Sequence, residues 1–267
     1  MRRSVSLRLV AIFGFVFLYA PILSLVVFSF NESKLVTVWG GFSTKWYAAL
    51  LEDQQILDAA WISLRVAVMS ATLATVIGTL ASYALARFGR FRFRMLLSGA
   101  VTAPLVMPEV ITGLSMLLLF VALEGLFGWP AGRGVDTLVI AHATFGAAYA
   151  TVVLGSRMSA LDRSVEEAAL DLGARPLRVF FDVTLPALAP ALISSWLLVF
   201  TISLDDLVVS AFVTGPGAST LPMVIFSKVR LGVSPEVNAL ATLVIAAISV
   251  VIVLASWQMR RAAAQAR

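Results

Sequence analysis

The chain has 267 residues, of which 60% are hydrophobic and 13% charged, with a formal charge of +5. Soluble domains carry about 25% charged residues, so this much apolar surface calls for a bilayer rather than an aqueous core. The absence of cysteine excludes disulfides and thiol chemistry, and a lone histidine, His142, cannot make a metal site by itself.

A spanning helix needs about 20 mostly apolar residues. In chain order, six stretches are predicted to meet that requirement: 9–30, 62–86, 95–121, 137–155, 187–212 and 237–259. The first is too long for a signal-peptide core and reads as a retained helix. Arginines mark the sides. Arg2, Arg3 and Arg8 precede the first stretch, and Arg87, Arg90, Arg92 and Arg94 follow the second. Arg157, Arg163, Arg175 and Arg178 follow the fourth, and Arg260, Arg261 and Arg267 end the chain. Fourteen of the twenty Lys and Arg therefore fall on one side, which the positive-inside rule makes cytoplasmic, together with both termini. Cations at the ends of apolar runs do not form the continuous basic face that nucleic acid requires. The chain reads as one all-α, polytopic membrane domain, residues 1–267.

Between the first two stretches, residues 45–60 suit a short interfacial helix, with Trp46 and Tyr47 at the membrane boundary. The second stretch carries Ser70, Ala74, Gly78, Ser82 and Ala86 at every fourth position, a small-residue ridge that lets helices approach closely. In the third, Pro104 and Pro108 free backbone carbonyls and can open the helix beside a cavity. Glu109 follows them, and Asp205 and Asp206 lie in the fifth stretch. Acids inside spans are costly and usually functional, and without basic partners they favour a cation. Arg65 is a candidate partner. An interfacial role or the capping of a helix break is the alternative for each acid. Late in the chain, Thr220-Leu221-Pro222 can start a short helix that Gly232 ends.

The inward loop at 156–186 differs from the rest. Ser164 with Glu167 is predicted to form a capping box, after which Leu161, Val165, Ala168, Ala169 and Leu172 recur at helical spacing. Gly173 would end that helix in a left-handed conformation, Pro176 would start another, and Pro186 would mark entry into the fifth span. No phosphate-binding Gly-x-x-x-x-Gly-Lys loop is present, and the lysines are only Lys34, Lys45 and Lys228, so ATP chemistry would belong to another polypeptide.

Glu167-Ala168-Ala169, three residues, Gly173, nine residues, Val183, one residue and Leu185-Pro186 resemble the EAA loop of binding-protein-dependent ABC importer permeases, which have a MetI-like fold. Val183 stands where Ile is commoner. The resemblance implies six transmembrane helices, with cytoplasmic coupling helices between the fourth and fifth. It implies ATPase docking through Glu167, Ala168, Ala169, Gly173, Leu185 and Pro186. Segments 108–113, 203–208, 214–217, 220–223 and 235–240 extend the resemblance to the polyamine branch, above all to the second membrane subunit of putrescine importers. That implies a non-catalytic permease of the bacterial inner membrane with Glu109, Asp205 and Asp206 along the substrate pathway. Its partners would be a homologous second permease, an ABC ATPase dimer holding the ATP and Mg, a periplasmic polyamine-binding protein and the lipid bilayer. Spermidine or another cationic or organic solute is the alternative cargo, and an ion-driven secondary transporter is the alternative machine. An intramembrane enzyme is disfavoured, because adjacent Asp205 and Asp206 diverge by about 100° on a helix.

Overall fold

The protein is described by a computed structural model that covers residues 2–250 apart from Val36, Thr37, Val233 and Ile248. The helices are α1 (Arg2–Phe28), α2 (Lys45–Glu52), α3 (Gln54–Arg87), α4 (Arg94–Val106), α5 (Glu109–Phe127), α6 (Val135–Ala160), α7 (Arg163–Asp171) and α8 (Pro176–Val179). They continue with α9 (Leu185–Asp205), α10 (Val208–Val213), α11 (Leu221–Leu231) and α12 (Pro235–Ala247). Among the described residues there is no strand, only an isolated bridge between Asn31 and Phe42. Among the described residues, five helical stretches are long and apolar enough to cross a bilayer: Leu7–Phe28, Gln54–Arg87, Glu109–Phe127, Val135–Ala160 and Pro176–Asp205. The basic residues Arg260, Arg261 and Arg267, and the end of the sixth predicted span, lie outside the described residues.

Several boundaries differ from the sequence expectation. The short helix expected at 45–60 stops at Glu52, where Asp53 takes an extended ψ of 92°, and the next helix starts at once and runs for 34 residues. The predicted third span is two helices, because Pro108 has no N–H to continue the ladder of α4. The predicted fifth span also breaks, at Asp206–Leu207. At its other end it begins earlier than Pro186: α8 passes through a π-helical turn, Phe180–Thr184, directly into α9.

Contacts group the chain into two compact units. Asp58–Met223 forms one. Within it, α6 is the most buried span, with Leu138, Ala141, His142, Ala150 and Leu154 fully buried. Its alanines and glycines let neighbouring backbones approach, which is what membrane helices use when lipid offers no competing aqueous phase. The small-residue ridge of α3 meets it directly. A Cβ on Gly78 would lie 2.6 Å from the Ala150 Cβ and 3.0 Å from backbone atoms of Ala150 and Thr151. Ser70 Oγ donates to the Val139 carbonyl at 3.2 Å. Val66, Phe120, Leu138, Val139, Phe145, Val209 and Val213 form an apolar cluster around the same helices. By contrast, α4 buries none of its residues.

The described parts of Met1–Leu57 and Val224–Arg267 form the other unit. Here the fully buried Asn31 organises a tight loop. Its Nδ2 donates to the Leu35 and Val38 carbonyls, and its Oδ1 accepts from the Ser33 and Gly40 amides. Trp46 Nε1 donates to the Asn31 carbonyl at 2.6 Å. Lys228 on α11 pairs with Asp53 at 2.6 Å and lies 3.8 Å from Glu236.

Candidate functional site

The two helix breaks of the larger unit border one cavity of about 300 Å³. Pro104, Met107, Glu109 and Thr112 line it from the α4–α5 break, and Ile202 with Asp205 to Val209 line it from the α9–α10 break. Phe145 and Tyr149 on α6 supply aromatic rings. Glu109, Asp205 and Asp206 all line it, and among the described residues no basic side chain does. Non-helical backbone at membrane depth is tolerated where it borders such a cavity, because the freed polar groups can reach solvent or a polar guest.

Each acid sits in a different electrostatic setting. Glu109 occupies the first turn of α5, where Pro108 closes the helix by accepting from the Ile111 and Thr112 amides at 2.9 and 3.1 Å. The unpaired N–H groups of that turn favour a carboxylate. Asp205 ends α9. Both side chains are exposed, and neither forms an ion pair among the described residues. Arg65 forms no ion pair with these acids and is also exposed.

Asp206 is held instead. Its Oδ2 accepts from the Ser210 amide at 2.7 Å and its Oδ1 from the Val209 amide at 3.3 Å, so the carboxylate satisfies the first turn of α10. His142 Nε2 approaches Oδ2 at 3.3 Å, and the Asp206 side chain is 7% exposed. The capping alternative raised for the acids therefore describes Asp206. His142, fully buried on α6, also meets Ser203 Oγ of α9 at 2.7 Å through Nδ1 and Ser210 Oγ of α10 at 3.1 Å through Nε2. Nδ1 thus faces the Ser203 hydroxyl, while Nε2 faces both the Ser210 hydroxyl and the Asp206 carboxylate. Read only as an isolated candidate ligand, His142 was missed. The usable signal was an ionisable ring inside an apolar helix.

A second candidate surface lies at the loop between α6 and α9. The helix α7 is capped by Asp162, whose Oδ1 accepts from the Ser164 amide at 2.9 Å, and not by Ser164. Asp162 takes the extended backbone of a cap, ψ 124°, and its carboxylate does the work assigned to the Ser164–Glu167 box. The Ser164 amide bond holds the Asp162 carboxyl below its ordinary value. Gly173 adopts φ +87° as expected. The Gly173 amide donates to Leu170 and the Ala174 amide to Ala169, the bond pair of a Schellman ending.

Glu167 and Ala168 are exposed and Ala169 is half-buried. In the first turn of α9, Leu185 is half-buried and Pro186 exposed. Leu172 and Leu177, on either side of the turn, are 89% and 74% exposed. The neighbouring Glu166 turns inward. Arg87 Nη2 donates to its Oε1 at 3.0 Å, Arg87 Nε lies 2.9 Å from its Oε2, and Thr184 Oγ1 donates to Oε1 at 3.0 Å. Arg163 also donates to the Ala86 carbonyl. Neither Glu166 nor Arg87 stood out in the sequence, because nothing in either one's neighbours reveals a partner 79 residues away.

Broken helices around a cavity lined with acids, in a chain whose α6–α9 connection forms an amphipathic elbow, are the features of a solute-transporting membrane subunit. Residues 74–266 match the family described as "Binding-protein-dependent transport system inner membrane component", and the chain belongs to that family of multi-pass inner-membrane proteins. It is 58% identical over 256 residues to "Putrescine transport system permease protein PotI" of Escherichia coli (strain K12), covering 96% of this chain and 91% of that one. It is 42% identical over 247 residues to "Spermidine/putrescine transport system permease protein PotC" of the same organism, covering 92% and 90%. Its fold matches a chain of a bacterial ABC transporter involved in the import of the acidic polysaccharide alginate. That match has a TM-score of 0.70 and 19% identity, with 96% and 95% of the chains covered. A chain of a bacterial alginate ABC transporter in complex with an alginate pentasaccharide-bound periplasmic protein gives a TM-score of 0.71 at 15% identity, covering 94% and 91%.

Proposed function

We propose that this chain is the putrescine-carrying permease of a binding-protein-dependent ABC importer of the bacterial inner membrane, forming half of the translocation path. Its similarity to two polyamine permeases supports the cargo class. The observation that carries the reading at residue level is the cavity whose charged lining, among the described residues, is Glu109, Asp205 and Asp206. A diamine brings two positive charges, and Glu109 and Asp205 are carboxylates without ion-pair partners among the described residues. The ring faces of Tyr149 and Phe145 add the option of cation–π contact. A route must hold cargo weakly enough to release it, which suits exposed carboxylates better than a closed ionic cage.

In this reading the whole chain is one permease domain with six spans and both termini cytoplasmic. The α7–α8 elbow is the coupling element: Glu167, Ala168 and Ala169 face an ATPase subunit, Gly173 sets the bend, and Leu185 and Pro186 open α9 beside it. The exposed Leu172 and Leu177 give that contact an apolar centre. This chain performs no ATP chemistry; ATP and Mg are held by the ATPase dimer. A second, homologous permease completes the path, and a periplasmic binding protein delivers the diamine. Spermidine is the second reading, supported by the similarity to the spermidine/putrescine permease.

The test is purification of the assembled transporter through a tag on this chain. A second permease and an ATPase should co-purify, and putrescine with its binding protein should stimulate ATP hydrolysis. Putrescine uptake driven by an ion gradient in vesicles without ATP would contradict the proposal.

A further inference from the structure

Three carboxylates line the cavity, but they are not equivalent. Two amides already hold the Asp206 carboxylate, and His142 approaches it from a third direction. A cargo ammonium would have to displace these donors. Glu109 and Asp205 present no such competition. His142 also touches a hydroxyl on each side of the α9–α10 break, Ser203 before it and Ser210 after it. It reaches both from α6, the most buried span. One ring thus spans the joint that forms a wall of the cavity.

We infer that His142 is a positioning residue for the transport path. It clamps the non-helical joint at Asp206–Leu207 and keeps Asp206 as a structural anion, leaving Asp205 and Glu109 to meet the cation. The inference rests on the reading of the cavity as the cargo route. It also changes the expected behaviour of the two adjacent aspartates, since Asp205 acts on cargo and Asp206 acts on the wall.

The two ring nitrogens can be separated by substitution. In His142→Gln the amide nitrogen stands near the Nε2 position and keeps the bond toward Asp206. In His142→Asn it stands near Nδ1 and keeps only the bond toward Ser203. In the assembled transporter, His142→Gln should retain the KM for putrescine within about threefold, while His142→Asn should raise it roughly tenfold, the loss of one hydrogen bond to a charged group. A purely structural role would lower the amount of assembled complex for both variants and leave KM alone.

A second readout does not need cargo. The chain has no cysteine, so Leu207→Cys places a single thiol at the joint. Its rate of modification by a small cationic thiol reagent should rise roughly tenfold when His142→Asn is added, as the clamp opens, and stay near the parent rate with His142→Gln. Equal KM and equal thiol reactivity in the Asn and Gln variants would overturn the inference. If the parent complex moved no putrescine, the cargo reading would fail instead, and the thiol rates would still decide whether His142 clamps the joint.

Discussion

Removing Arg87 should loosen the elbow that carries the exposed Glu167. The Arg87 and Glu166 side chains are only 8% and 13% exposed, and Thr184 adds a third bond to the same carboxylate. Deleting one partner of a buried pair costs about 3–5 kcal/mol, because the other charge is left without compensation. The slight exposure of this pair argues for the lower end, about 3 kcal/mol, which corresponds to a change of roughly 150-fold in the opening equilibrium. The variant Arg87→Met should therefore speed hydrogen exchange at the amides of Leu172, Gly173 and Ala174 by up to that factor, while amides of α6 stay protected. Replacing both partners, Arg87→Met with Glu166→Met, removes both charges and should recover most of the protection. Exchange at wild-type rates in Arg87→Met would refute the reasoning. So would a double variant whose loss equals the sum of the two single losses.

The small-residue contact gives a second prediction. Gly78→Ala should lower the thermal stability of the purified complex, because its methyl would meet Ala150 and Thr151 at 2.6 to 3.0 Å; overpacking of this kind costs about 1–3 kcal/mol. Adding Ala150→Gly should restore part of the loss, and an unchanged Tm in Gly78→Ala would contradict the close approach. A third concerns acid. The Lys228 hydrogen bond, with amides of Ile56 and Gln55, holds the Asp53 carboxyl below its ordinary 3.8. A depressed carboxyl contributes stability that is present above its unfolded value and lost as pH falls through the lowered one. The Tm of the complex should therefore fall more steeply below about pH 4 in wild type than in Lys228→Met; parallel acid limbs would remove the pair from the account. Finally, Gly173→Pro and Glu167→Arg should abolish coupling to the ATPase without preventing membrane insertion. Normal uptake with either change would count against docking at the elbow.

Much of this was legible in the sequence, for identifiable reasons. Apolar length revealed most spans because a bilayer demands it, and the four-residue rhythm from Ser70 to Ser82 revealed the face that meets α6. Gly173 and Pro176 marked the elbow, because glycine takes a positive φ at little cost and proline fixes φ at the value a helix start needs. Pro108 signalled the break in the third span. The break at Asp206 was harder to see: no proline marks it, and it depends on a carboxylate folding back onto amides three and four residues ahead. The His142 contacts and the Arg87–Glu166 pair were not legible at all, since each joins helices more than sixty residues apart. Of the three acids, Glu109 and Asp205 line the cavity without an ion-pair partner among the described residues, whereas Asp206 caps α10.

The central claim is that a diamine crosses beside Glu109 and Asp205. Its most direct test is ATP-driven uptake of labelled putrescine into proteoliposomes holding the complete transporter and its binding protein. The wild type is compared with Asp205→Asn and Glu109→Gln at equal protein. Each variant should raise the KM or lower the uptake rate roughly tenfold, the loss of one charge-assisted contact, while ATPase subunits still co-purify. Wild-type uptake in the double variant would contradict the account.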